Sequence, residues 1–184
     1  MIYHRVLPHD RRAAPDGPGG ARWIPRTFQG AGRHDNPELY GAMYVSEHPL
    51  SPLAEALAPF RGTGELREEM LLRSGNRLSL ATLEAPDAME LVDLDDPQTL
   101  AAEAMRPSEV ATRDRTRTQL QAADLHAGHP GAGGLRWWST LESLWLNVTL
   151  FDRALGELEV VDMRPLGLGD PLVDEAAGVL GLAG

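Results

Sequence analysis

Five side chains in this sequence have types and settings suited to chemistry: Arg33, Tyr44, Ser46, Glu55 and Ser139. Arg33 follows Gly30-Ala31-Gly32, a pliant bend from which a guanidinium can offer its fixed fork of donors to a phosphate or another oxygen-rich group. Tyr44 and Ser46 lie in an alternating run, Tyr40 to Ser46. There Tyr40, Ala42, Tyr44 and Ser46 share one face, and Gly41, Met43 and Val45 share the other. The second face suits a core and the first a cleft wall. Glu55 belongs to a predicted helix whose apolar face is Leu53, Ala54, Leu57 and Ala58, and it falls well off that face. A carboxylate placed there can stabilise developing positive charge. Ser139 ends a later stretch, Gly134 to Ser139, and brings a hydroxyl donor. Each residue also has an ordinary explanation: a solvated loop arginine, a half-buried strand tyrosine, a first-turn carboxylate favoured by the helix dipole, a turn serine.

Composition narrows the classes. The chain has 184 residues, 27 acidic against 17 basic, a net charge of −10, and no cysteine. Every basic residue is arginine. An acidic balance argues against nucleic-acid binding, which needs net positive surface, yet leaves room for a local arginine pocket that takes a phosphorylated small molecule. Without cysteine there is no disulfide framework and no thiolate metal site. His126 and His129 flank a glycine loop but lack further ligands at metal-binding spacing. The N-terminus has no long apolar region of the signal-peptide kind, and no apolar run approaches a membrane span, so the expected location is the cytoplasm.

The elements that must position these groups can be read in order. Ile2 to Leu7 is a strand. Residues 8 to 38 form a long Pro/Gly/Arg-rich loop whose first half, with Pro15, Gly17, Pro18, Gly19 and Gly20, is the segment expected to be mobile. Ser51-Pro52 starts a helix, with Ser51 as N-cap. Arg61 to Arg73 is charged surface. Leu78 to Leu83 and Met89 to Leu94 are two strands around the turn Glu84 to Asp87. Asp96-Pro97 opens a short helix, and Ser108 caps a longer one to about His126. Arg113, Arg115 and Arg117 make a solvated face, or less simply a phosphate or partner contact. Gly134 to Ser139, Trp145 to Phe151 and Leu158 to Val161 are strands, and Asp170 to Leu180 is a terminal helix. Strands and helices alternate without βαβ spacing. The expected fold is α+β, a single domain with a mixed, mostly antiparallel sheet and flanking helices. Its core is about 2–161, with a loop over 8–32 and a C-terminal extension over 162–184.

Taken together, Arg33, Tyr44, Glu55 and Ser139 resemble the RES domain family, named for its Arg, Glu and Ser. The family stretch of glycine-glycine-arginine-tryptophan-asparagine, a tyrosine with a small polar residue, and then a glutamate is here Gly32-Arg33-His34-Asp35, Tyr44-Val45-Ser46 and Ala54-Glu55. The later glycine-aromatic-serine stretch is Gly134-Leu135-Arg136-Trp137-Trp138-Ser139, followed by Asn147 to Phe151. Tyr3-His4-Arg5-Val6 is similar to the family's opening strand. His34-Asp35 departs from the usual tryptophan-asparagine, and Arg22-Trp23 is a competing arginine-tryptophan pair farther upstream.

The resemblance implies an ADP-ribosyltransferase-like core acting on NAD as substrate, with no separate cofactor and no metal. The nicotinamide–ribose bond would be broken by hydrolysis or phosphorolysis. It implies the toxin of a toxin–antitoxin pair, with an Xre-type helix-turn-helix antitoxin as partner; a homodimer stays open. In this setting Arg33 anchors NAD, Tyr44 stacks nicotinamide, Ser46 lines the same face, Glu55 stabilises the ribosyl cation and Ser139 positions the ribose. The rival readings are a protein ADP-ribosyltransferase, a non-catalytic nucleotide or partner binder, and a plain interaction domain.

Overall fold

The structure is a computed structural model and describes residues 1–182. In chain order the elements are β1 (Ile2–Pro8), β2 (Ala42–Ser46), α1 (Leu50–Leu57), β3 (Leu72–Arg73), β4 (Asn76–Glu84), β5 (Leu91–Asp93), α2 (Pro97–Ala102), α3 (Pro107–Val110), α4 (Arg115–Gly128), β6 (Gly134–Trp138), β7 (Leu146–Phe151), β8 (Glu159–Pro165) and α5 (Pro171–Leu180). The fold is α+β. Pairings among β1, β2, β3, β4 and β8, and that of β6 with β7, are antiparallel, and β5 joins β6 in parallel. The chain forms two compact units. One comprises Met1–Trp23, Ser46–Glu84 and Glu159 onward; the other comprises Ile24–Val45 and Ala85–Leu158.

In the first unit β4 is central. β1 pairs along one side, from Ile2↔Glu84 to Pro8↔Leu78, and β8 along the other. Ser74 and Gly75, both at positive φ, turn β3 into β4 as a tight hairpin requires. Leu50, Leu53, Ala54 and Leu57 are the buried stripe of α1, spaced as a helix needs, and α1 packs on α5. The helix begins at Leu50, not at a Ser51 cap: Ser51 lies buried inside the first turn, its N–H on the His48 carbonyl at 3.2 Å. Asp170 caps α5 by accepting from Leu172, and Gly181 ends it in the left-handed region. The tail expected as an extension therefore contributes a strand and a packed helix to this unit; its last two residues lie outside the described ones. The segment 61–73 is not all surface, since Leu66, Met70 and Leu71 are buried. The glycine-rich start of the long loop folds into hydrogen-bonded turns, Gly17 to Ala14 at 3.0 Å and Arg22 to Pro15 at 2.8 Å. Arg5 ties its end to β1, donating to the carbonyls of Ala21 (2.7 Å) and Trp23 (3.0 Å). Burial pushes that guanidinium down to about 10, so it stays charged at neutral pH.

In the second unit the strand order is β2-β7-β6-β5. Met89 to Leu94 is the second of the two strands expected around the turn Glu84 to Asp87; its strand β5 runs parallel to β6, with Val92 opposite Leu135. A parallel pair needs a long crossover, and α2, α3 and α4 supply it. The predicted helix from Ser108 to His126 is broken into α3 and α4. Thr112 Oγ1 accepts the Asp114 N–H (3.2 Å) and Asp114 Oδ1 accepts the Arg117 N–H (3.2 Å), so local side chains take the backbone donors and a new helix starts at Asp114. The first helix has no Ser108 cap; the Glu109 carboxylate closes it on the Arg106 N–H. Tyr40, Ala42, Leu135 and Phe151 form a core with Ala122 and Leu125 of α4. Among the described residues no helix is long and apolar enough to cross a membrane.

Candidate functional site

Arg33 is the best-defined of the candidate groups. Its loop, residues 30 to 35, is held from two directions. Thr118 of α4 donates its hydroxyl to the Arg33 carbonyl (2.6 Å), and Gln119 donates to the carbonyls of Gly30 (3.0 Å) and Gly32 (2.8 Å). From inside the loop, the buried Asp35 carboxylate collects the N–H of Gly30 (2.8 Å), the N–H of Gly32 (2.7 Å) and the Tyr44 hydroxyl (2.7 Å). Tyr44 in turn accepts the His34 N–H at 2.9 Å. A Cβ on Gly32 would lie 2.5 Å from both Asp35 Oδ1 and the Tyr44 hydroxyl, so only glycine fits this knot.

The loop delivers the Arg33 side chain to a buried position, 4% exposed. The guanidinium lies over Trp137, 4.9 Å from the ring centroid, and donates to the Val110 carbonyl at 2.6 Å. That carbonyl is available because α3 ends at Val110. A desolvated guanidinium on an indole face gains about 2 kcal/mol and a fixed plane.

His34 points elsewhere. Its Nδ1 lies 2.8 Å from Thr149 Oγ1, which also accepts the Trp137 Nε1–H at 3.1 Å, and its ring meets Trp137 edge-on at 5.3 Å. Burial, then the charges of Arg33 and Arg115, push its pKa down to about 3, so the imidazole is neutral. Neighbours in sequence, His34 and Asp35 do not act as a pair.

Tyr44 is half-buried against the core, and burial followed by the Asp35 charge holds its phenol well above the usual range. Its hydroxyl fastens the loop, so the ring face is what remains for a ligand. The face of β2 read as a cleft wall is closed at both ends, because Tyr40 and Ser46 are each 1% exposed. Ser139 lies in the same unit, buried at the end of β6. Its N–H donates to the Trp145 carbonyl (2.7 Å) and its Oγ accepts the Leu141 N–H (3.2 Å), closing the turn that leads toward β7.

Ser46 and Glu55 belong to the other unit. Ser46 pairs with His4 across β1, and its Oγ accepts the His48 N–H at 3.2 Å. Burial, then the nearby His48, lower the His4 pKa. Glu55 is exposed on α1, off the apolar stripe as its position in the helix requires. Arg22 pairs with Asp16 at 2.9 Å, a surface contact within the first unit. The structure thus brings Arg33 and Tyr44 into one network and places Ser139 in the same unit.

Asp35, His34, Thr149 and Trp137 are not among the expected site residues: His34-Asp35 reads in the sequence as a departure from the family pattern, Trp137 as part of the later family stretch, and Thr149 as a strand residue. One available signal was the polar side of β7, Asn147 and Thr149, which reads as solvent-facing by alternation but is buried. Among the described residues no group of three or more His, Asp or Glu side chains is arranged to hold a metal. His129 faces Glu103 instead, Nε2 to Oε1 at 2.9 Å.

A model of the RES domain family matches residues 2–168. None of the curated proteins matches the chain. Among solved structures, a chain in the crystal structure of the M.tuberculosis MbcT-MbcA toxin-antitoxin complex superposes with a TM-score of 0.63 at 18% identity, covering 98% of this chain and 88% of that one. At that identity the likeness is one of fold.

Proposed function

The chain belongs to the RES domain family, and we propose from that premise that it consumes NAD by breaking the nicotinamide–ribose bond. The observation that carries the proposal is the state of Arg33: buried, laid on Trp137 and tied to the Val110 carbonyl. A guanidinium held this way meets a pyrophosphate or a ribose oxygen with little further loss of side-chain freedom, unlike a solvated loop arginine.

Nicotinamide leaves with the bonding electron pair as a neutral amide, and positive charge builds on the ribose. Glu55 is the carboxylate assigned to that charge. Water or phosphate captures the ribosyl cation; when the acceptor is water, it releases its proton to solvent. The face of the Tyr44 ring stacks on the cationic nicotinamide, and Ser139 serves the ribose hydroxyls. No separate cofactor enters. The family and the fold shared with a chain of a toxin–antitoxin complex support a toxin role, with a helix-turn-helix antitoxin as partner in the cytoplasm.

The test is nicotinamide release from NAD by the purified protein, with and without phosphate, beside Glu55→Gln. Release that disappears in the variant supports the assignment, and dependence on phosphate names the acceptor. Full turnover by Glu55→Gln would refute the role of Glu55. His34-Asp35, in place of the family's tryptophan-asparagine, favours one second reading, a domain that binds the nucleotide without cutting it. Bound NAD with no nicotinamide released would establish that reading. Release of free ADP-ribose without a protein acceptor separates hydrolysis from transfer to protein.

A further inference from the structure

Thr149 is fully buried, and its hydroxyl has two partners of different kinds. An indole N–H can only donate, so Oγ1 accepts from Trp137. The single hydroxyl hydrogen is then left for His34 Nδ1, 2.8 Å away. If Nδ1 carried its own hydrogen, the hydroxyl hydrogen would be stranded at a fully buried position, at a desolvation cost. The hydrogens therefore run one way, from Trp137 Nε1 to Thr149 and from Thr149 to His34 Nδ1, and the imidazole hydrogen sits on Nε2. The same histidine ring braces Trp137 from the side, 5.3 Å away at an interplanar angle of 78°. Trp137 is thus held at its nitrogen and against the His34 ring, while its face carries Arg33.

We propose that His34, Thr149 and Trp137 form a directional relay that fixes the plane of the indole and, through it, the guanidinium of Arg33, which makes His34 and Thr149 positioning residues for the substrate's phosphate or ribose oxygens. The link to substrate rests on the NAD reading above. The His-Asp departure from the family pattern is then not a loss: His34 holds the platform under Arg33, while Asp35 holds its loop.

Three measurements test the relay. In the intact wild-type protein, long-range proton–nitrogen NMR of the imidazoles should show His34 with hydrogen on Nε2 and none on Nδ1. A hydrogen on Nδ1 would overturn the relay without any variant. The Arg33 Nε–H resonance should persist in wild type and in Thr149→Ser, which keeps the hydroxyl, and be lost to exchange in Thr149→Val. An unchanged resonance in folded Thr149→Val would also overturn it. With NAD as substrate, Thr149→Val should raise KM about tenfold, the worth of one buried hydrogen bond, with kcat held within about twofold, and Thr149→Ser should restore KM. A wild-type protein that leaves NAD intact would sink the NAD reading, while the two NMR measurements still decide the relay.

Discussion

Lowering the pH from 7 to 5 should cost the folded protein about 2 kcal/mol through His34 alone. The imidazole has an ordinary value of 6.5 and is pushed to about 3 in the fold, chiefly by burial and then by Arg33 and Arg115. Because the folded value is the lower one, the unfolded chain takes up a proton first as the pH falls. The stabilisation is complete above about 6.5 and drains away between there and about 3, at about 1.4 kcal/mol for each pH unit. His34 is 4% exposed, so solvent screening takes little from that figure. The assay is urea unfolding at pH 7, 6 and 5 for wild type and His34→Asn, whose amide oxygen keeps an acceptor near the Nδ1 position but does not titrate. His4 and His126, which are also lowered, titrate in both proteins and cancel in the difference. Wild type should lose about 2 kcal/mol more than the variant over this interval. Parallel stability curves for the two proteins would refute the buried neutral imidazole.

The loop knot around Asp35 yields a second test. Tyr44→Phe removes a bond to a carboxylate and strands the His34 N–H, which should lower urea stability by about 2–4 kcal/mol. Gly32→Ala, whose Cβ would meet both Asp35 Oδ1 and the Tyr44 hydroxyl at 2.5 Å, should cost less in the Tyr44→Phe background than in wild type. Additive losses in that double-mutant cycle would show that the two do not meet. Arg33→Lys keeps a donor for Val110 but loses the planar fork and the stacking, so nicotinamide release should fall about a hundredfold in a folded protein; near-normal kcat/KM would remove Arg33 from the site.

What the sequence determined by itself was mostly local. Alternation in Leu146 to Phe151 and the stripe Leu53, Ala54 and Leu57 named a strand and a helix, because burial of one face acts within a few residues. Asp96-Pro97 marked a helix start for the same reason: the cap bonds its own next turn. The residues of the family pattern were legible in order, so Arg33, Tyr44, Glu55 and Ser139 could be singled out before any packing was known. Asp114 also carried a local signal, a cap three residues before Arg117, but the uninterrupted run from Ser108 masked it.

Tertiary structure decided the partners. Nothing near Leu91 to Asp93 says that this strand pairs in parallel with Gly134 to Trp138, because its pairing is set by a crossover of three helices. The polar side of β7 turned inward, so Thr149 became the centre of a hydrogen-bond relay and not a solvated threonine. His34 and Asp35 looked like a substitution in a motif; the fold gave one an indole to brace and the other a loop to tie. Such roles depend on which buried donor finds which acceptor across more than a hundred residues, as His34 finds Thr149 with a separation of 115. A buried polar group must be matched by whatever the fold places beside it, and that neighbour is chosen by sheet register and chain crossing, not by sequence proximity.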